Sequence, residues 1–217
     1  MTNYEGDPMH LPKQFEVSEE DTAALLSKGG FGHLVTPAPD GSLEVTSMPL
    51  LYDAGSHSLV GHLARPNPQW RYTGEAESLA IIPGVDAYVT PSYYPSKQET
   101  QKAVPTWNYE ALYVHGRLHA HDDRDWLREH VTRLTDNHES GRPAPWQVSD
   151  APDRFIASQL KGIVGIQLVI TRVVAKAKLN QNRSAADRSG VIRGLAQGTP
   201  PEQETAAQMV ALGLDNG

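Results

Sequence analysis

The chain contains no cysteine among its 217 residues, which excludes disulfides, thiolate metal sites, iron–sulfur clusters and a cysteine nucleophile, and fits a reducing compartment. It also lacks any run of the ~20 apolar residues that a membrane span needs. The opening stretch MTNYEGDPMHLPKQF has neither an apolar core nor a basic lead, so no signal peptide is expected and the expected location is the cytoplasm. Blocks of Lys and Arg are missing too: 26 acids against 19 bases leave a formal charge of -7. A surface of that sign repels phosphate backbones, so a nucleic-acid partner is disfavoured. There is no Gly-x-Ser-x-Gly elbow, no Walker-type phosphate loop and no Gly-x-Gly-x-x-Gly after a strand.

What is present reads as one core with a small appendage: 39% hydrophobic and 21% charged residues in a chain long enough to bury a pocket. Ser18, with Asp21 three residues on, caps a short helix that ends at Gly29 and Gly30. Two β runs then meet at Asp40-Gly41, a pair that tolerates positive φ. HSLVGHLA is a third run, and ESLAIIPGVDAYVTP gives two more, folded at Pro83-Gly84. ALYVHGRLHAHDD alternates, with Leu112, Val114, Leu118 and Ala120 on one face and His115, Arg117, His119 and His121 on the other. DRDWLREHVTRLTDNHE is an amphipathic helix, DAPDRFIASQLKG a second one capped by Asp150, IVGIQLVITRVVAKAKL the last strand, and a helix capped by Ser184 follows. The expected fold is mainly β with peripheral helices (α+β): a small antiparallel barrel over residues 1–197, with a helical tail over 198–217 whose Met209, Val210 and Leu212 face a partner.

The candidate chemistry sits at strand ends. VGHLARPNPQWR, residues 60–71, holds His62 and Arg65 beside a turn stiffened by Pro66 and Pro68. A strand that only fills a core stops at its last apolar residue; two polar groups there point to a ligand, and with Trp70 the motif offers an axial or stacking group, a cation for acid groups and an aromatic wall. Lone imidazoles are more often structural, so His62 is also readable as a core or surface residue. The polar loop from Ser92 to Tyr109, with aromatic residues at both ends, is longer than a hairpin needs. KLNQNRSAADRSG places Lys178 and Arg183 before a capped helix, which reads equally as a carboxylate or phosphate site and as a plain strand-to-helix connection. His115 and His119 lie roughly 13 Å apart at about 3.3 Å per strand residue, too far to share a metal.

The strings GHLARPNPQW, DAYVTPSYYPSK, VPTWNY, IVGI and KLNQNRSAADRSGVI, in this order, resemble the PaiB-type family of FMN-binding negative transcriptional regulators from about residue 10 to 195. The resemblance implies an FMN-binding-type split β-barrel, a homodimer, and cofactor sites at the subunit interface. One branch, the piperazate synthases, binds haem b and closes N5-hydroxyornithine into a ring through a nitrogen–nitrogen bond with loss of water. That branch is the first expectation, with a small amino-acid substrate. It implies His62 as axial ligand of the haem iron, Arg65, Lys97 and Arg183 at the propionates, Trp70 and Trp107 along the ring, Tyr93, Tyr94, Thr106 and Tyr109 as catalytic candidates, and Thr46, Ser47 and Asn108 at the substrate. The alternative is an FMN-binding regulator or flavin oxidoreductase in which Arg65, Lys97 and Arg183 hold the phosphate, Trp107 or Tyr94 flanks the ring, and His62 is only a hydrogen-bond donor. TSMP, with Ser47 and Met48, departs from the family's usual Thr-His-Leu-Pro and leaves room for a substrate.

Overall fold

The computed structural model describes residues 9–74 and 76–215. Six strands, β1 Gly30–Pro37, β2 Leu43–Asp53, β3 Ser58–Ala64, β4 Glu77–Val89, β5 Thr106–His121 and β6 Ile163–Lys178, close into a barrel in the order β1-β2-β3-β6-β5-β4. Among the described residues six α-helices accompany them: α1 Glu19–Lys28, α2 Pro95–Thr100, α3 Arg124–Glu139, α4 Asp153–Leu160, α5 Ala185–Leu195 and α6 Pro200–Ala211. Mixed α+β architecture is thus as expected, but the order is not a simple meander: β1 pairs with β4 as well as with β2, and β3 pairs with β6.

The chain forms two compact units. One comprises residues 22–82 and 113–174 and carries β1, β2, β3 and the adjoining parts of β4, β5 and β6. Leu34, Leu50, Leu59, Leu63, Leu118, Ile166 and Leu168 fill its interior. Alternation explains why: in β3 the odd positions turn inward and leave Val60 and His62 on the opposite face. The α3 helix covers part of that face, its cap set by Asp123 accepting from the backbone of Asp125 and Trp126. The approach depends on Gly165 in β6, where a Cβ would stand 2.1 Å from the Trp126 ring.

The other unit comprises residues 1–21, 83–112 and 175–217, within which the described residues begin at 9 and end at 215. Its core gathers Val89, Tyr94, Leu179, Val191, Leu195 and Met209. Met209, assigned from the sequence to a partner surface, is fully buried in this core, whereas Val210 and Leu212 are exposed. The fold expected at Pro83-Gly84 does not occur: β4 runs through, because both residues are exposed and Gly84 lacks the Cβ that would meet Glu110 at 2.8 Å. Asp150 does not cap α4; Pro152 stands there, and Asp150 instead accepts from the backbone of Gln147. Among the described residues no helix is long and apolar enough to cross a membrane.

Gly165→Ala forces Trp126 off β6. The expected loss of stability is about 1–3 kcal/mol, measurable by urea unfolding with an unchanged denaturant slope.

Candidate functional site

The expected site residues fall into both units, and each group is described by itself. In the barrel unit the Pro66–Pro68 turn is a structural latch. Arg65 donates through Nε to the Lys161 carbonyl (2.7 Å), through Nη2 to the Ile163 carbonyl (2.9 Å), and through both terminal nitrogens to the Asp122 carboxylate. That pairing holds the Asp122 carboxyl below the usual range. Asn67 caps the turn by accepting from the backbone of Gln69 (2.9 Å) and donates to Thr46 Oγ1 (2.8 Å). Gln69, which sequence reasoning missed, is fully buried: its amide nitrogen donates to the Leu34 carbonyl and Thr36 Oγ1, both at 3.0 Å, and its oxygen accepts from Thr46 at 2.6 Å. Trp70 donates to the Arg65 carbonyl at 3.1 Å. Thr46 is therefore spent inside the barrel, while Ser47, one residue on and pointing the other way, is exposed and bonded to His33 Nδ1 at 2.8 Å.

His62 is half-buried, with Nδ1 3.1 Å from Nε2 of His130. His130 sits on the covered face of α3, and its Nδ1 is buried without a partner among the described residues. Burial lowers the basicity of both imidazoles; that of His130 is pushed down to about 3, helped by His62 and Arg133 nearby. Trp126 stacks between His121 (ring centroids 4.3 Å apart) and His130 (5.3 Å). A polar cavity of about 100 Å³ adjoins them, lined in part by Asp53, Glu129, His130 and Gln167. A more open cleft of about 220 Å³ has Arg65, Arg124 and Lys161 at its rim over Leu127 and Leu160.

In the second unit six expected residues, Lys178, Thr106, Trp107, Tyr109, Tyr94 and Arg183, gather around the end of β6. Lys178 Nζ donates to Thr106 Oγ1 (2.6 Å) and to the Trp107 carbonyl (2.5 Å). Lys176 lies 5.7 Å from the Tyr109 ring centroid, and the Arg183 guanidinium 4.9 Å from that of Tyr94. Trp107, 54% exposed, meets the exposed Tyr88 edge-on at 6.0 Å. Lys178 gives up its proton, and with it its charge, more easily than an ordinary lysine, because of burial first and then the charges of Lys176 and Arg183. Among the described residues no carboxylate lies within ion-pairing distance of these three cations. Tyr94 is 1% exposed, and burial raises its phenol above the usual value, so it stays protonated. Tyr93 presses its ring and carbonyl on α5, where Gly194 and Gly190 make room. Asn108 is fully buried; it donates to Met209 Sδ at 3.4 Å, and its Oδ1 has no partner among the described residues. Lys97 lies on α2, where its carbonyl accepts from the backbone of Gln101. Lys176 escaped the sequence reading; its signal was its alternation with Lys178 on one face of β6.

A six-stranded antiparallel barrel with peripheral helices and a cationic, aromatic-lined strand end defines the class of FMN-binding-type split barrels. The family model described as "Putative FMN-binding domain" matches residues 9–172. Over 206 residues the chain is 31% identical to "Protease synthase and sporulation protein PAI 2" of Bacillus subtilis, covering 93% of this chain and 96% of that one. The chain belongs to this PaiB-like, FMN-binding family. An uncharacterized protein of Saccharomyces cerevisiae is 31% identical over 68% of the chain and its own full length. Among solved structures, the FAD and haem binding protein from Mycobacterium smegmatis superimposes with a TM-score of 0.55 at 19% identity, over 76% of this chain and 74% of that one. The flavocytochrome Anf3 from Azotobacter vinelandii does so at 0.57 and 12%, over 80% and 74%. These likenesses show the fold.

Because the folded state refuses a proton at His130 that the unfolded chain accepts below pH 6.5, stability is full above that pH and falls as pH drops towards about 3. The loss is on the order of 4 kcal/mol. Unfolding curves across this range should show it, and His130→Phe should flatten it.

Proposed function

We propose that the protein binds FMN, with the phosphate neutralised by Lys176, Lys178 and Arg183 and the ring lying against Trp107 and Tyr88. One observation carries this: three cations share one strand end, none of them ion-paired to a carboxylate among the described residues, beside two exposed aromatic rings. The cost of crowding them falls when an anion arrives, and Lys178 is already held by Thr106 and the Trp107 carbonyl, so little side-chain freedom remains to be lost. The family's FMN-binding description supports the choice of cofactor, while its match, residues 9–172, ends before the three cations. Bound FMN supplies a ring that accepts electrons singly or as hydride. The chain's own part is to hold and shield it: Arg183 stacks over Tyr94, whose protonated phenol is a donor rather than a base. The charge of -7 disfavours a DNA-binding repressor.

A haem-dependent cyclase of the piperazate-synthase kind is the second candidate. It is favoured by His62, an imidazole that burial keeps neutral with its Nδ1 held by another side chain, as metal-binding histidines are, and by two structural neighbours whose names include haem or a flavocytochrome. Two observations fit it poorly. Arg65, expected at a propionate, already serves Asp122 and two carbonyls. An iron-ligating Nε2 on His62 also demands a proton on Nδ1, which pushes the His130 proton onto its partnerless nitrogen.

The expected homodimer has a candidate face in the barrel unit. On the outer side of β1 and β2 the cross-strand pairs Phe31–Pro49, Val35–Val45 and Pro37–Leu43 flank His33–Ser47, and Phe31, Val45 and Leu43 are 57–65% exposed. Val45→Glu should convert a dimer to a monomer in sedimentation velocity; a wild-type monomer at micromolar concentration contradicts self-association.

Lys178→Met should weaken FMN by about tenfold or more while leaving riboflavin, which lacks the phosphate, unchanged, as read by flavin fluorescence. The phosphate is fully ionised above pH about 8, so in that range rising pH strips the free Lys178 ammonium and FMN affinity should fall. This slope should be missing in Lys178→Met. Equal losses for FMN and riboflavin contradict the phosphate assignment.

A further inference from the structure

His62 and His130 share one hydrogen bond of 3.1 Å between Nδ1 of the first and Nε2 of the second. Between two neutral imidazoles, one nitrogen must donate and the other accept, and the surroundings choose which. We infer that His130 donates, so that His62 carries its proton on Nε2 and presents an N–H to whatever binds beside it; the ligand class is an oxygen acceptor, a carbonyl, carboxylate or phosphate oxygen.

The choice follows from the far side of His130. That ring is 3% exposed, and Trp126 stacks on it. Its Nδ1 has no partner among the described residues. Of the acceptors that line the adjoining cavity, Asp53 accepts from Ser56 and pairs with Arg133, the Gln167 oxygen is bonded to His121, and the exposed Glu129 makes no hydrogen bond to this nitrogen. A proton on Nδ1 would therefore be a buried, bare N–H, the rarer and costlier kind of unsatisfied group. A proton on Nε2 meets His62 directly and leaves only a lone pair buried. Burial disfavours the doubly protonated form of either ring, so a second proton does not resolve the conflict. His130 is then a positioning residue: it acts through His62, whose tautomer it sets. The cradle of Gly165 fixes this geometry, since it lets Trp126 lie on β6 next to the strand position paired with His62.

The inference goes beyond FMN binding at the other unit and stands or falls separately from it. Long-range proton–nitrogen spectra of the full chain, ¹⁵N-labelled and at neutral pH, read each tautomer directly. Both His62 and His130 should show a protonated Nε2 and a bare Nδ1; a protonated Nδ1 on His62 overturns the inference. His130→Leu should turn the single His62 tautomer into a mixture, and His130→Gln, whose amide can still donate, should keep it single. An unchanged signature in a folded His130→Leu protein overturns the positioning role. Titration with acetate and with inorganic phosphate should shift the His62 Nε2 signal progressively, and the absence of a shift with both overturns the ligand class. Addition of haemin giving a Soret band that disappears in His62→Ala overturns the donor assignment.

Discussion

The missing Cβ of Gly165 is the constraint on which the barrel unit's polar chemistry depends. Without it Trp126 settles on β6, α3 follows, and His130 arrives within hydrogen-bonding distance of His62. The column His121, Trp126, His130 and His62 is built of rings that each need the next one in place. Its burial keeps both central imidazoles neutral, so the site offers a proton-bearing nitrogen without a charge. A neutral donor binds an oxygen acceptor without requiring that acceptor to be an anion.

The other unit rests on the opposite principle. Lys176, Lys178 and Arg183 repel one another at a single strand end, and only hydrogen bonds and aromatic faces restrain them. Such an arrangement costs stability in the empty protein and returns it to a bound anion. Trp107 and Tyr88 leave an exposed aromatic edge-to-face pair in the same unit. Charge and aromatic wall are both present there, whereas the Arg65 motif, with its cation already spent, acts as a latch for the barrel's end.

Much of this was legible in the sequence. Apolar alternation located the strands, and Asp40-Gly41 placed the first hairpin correctly, with Gly41 at φ 85°. The long aromatic loop and the KLNQNR segment were each read as candidate sites, but nothing in their local sequence announces that Lys178 reaches Thr106 and the Trp107 carbonyl. What stayed hidden were facts of three dimensions. Pro83-Gly84 looks like a turn but lies where a strand tolerates both residues. Gln69 looks like an ordinary turn residue, yet Pro68 and the Asn67 cap aim it into the barrel. His130 looked like one more residue on an amphipathic helix, because nothing local announces that β3 brings an imidazole against it.

Membership in an FMN-binding family and an anion-ready cation cluster are the two grounds for proposing that the protein holds a flavin. The most direct measurement is the cofactor content of the protein as purified from cells supplied with both riboflavin and iron. Flavin absorption, with FMN released on denaturation at about one per chain, is the predicted result. A Soret band with iron at the same ratio and no flavin would contradict the account.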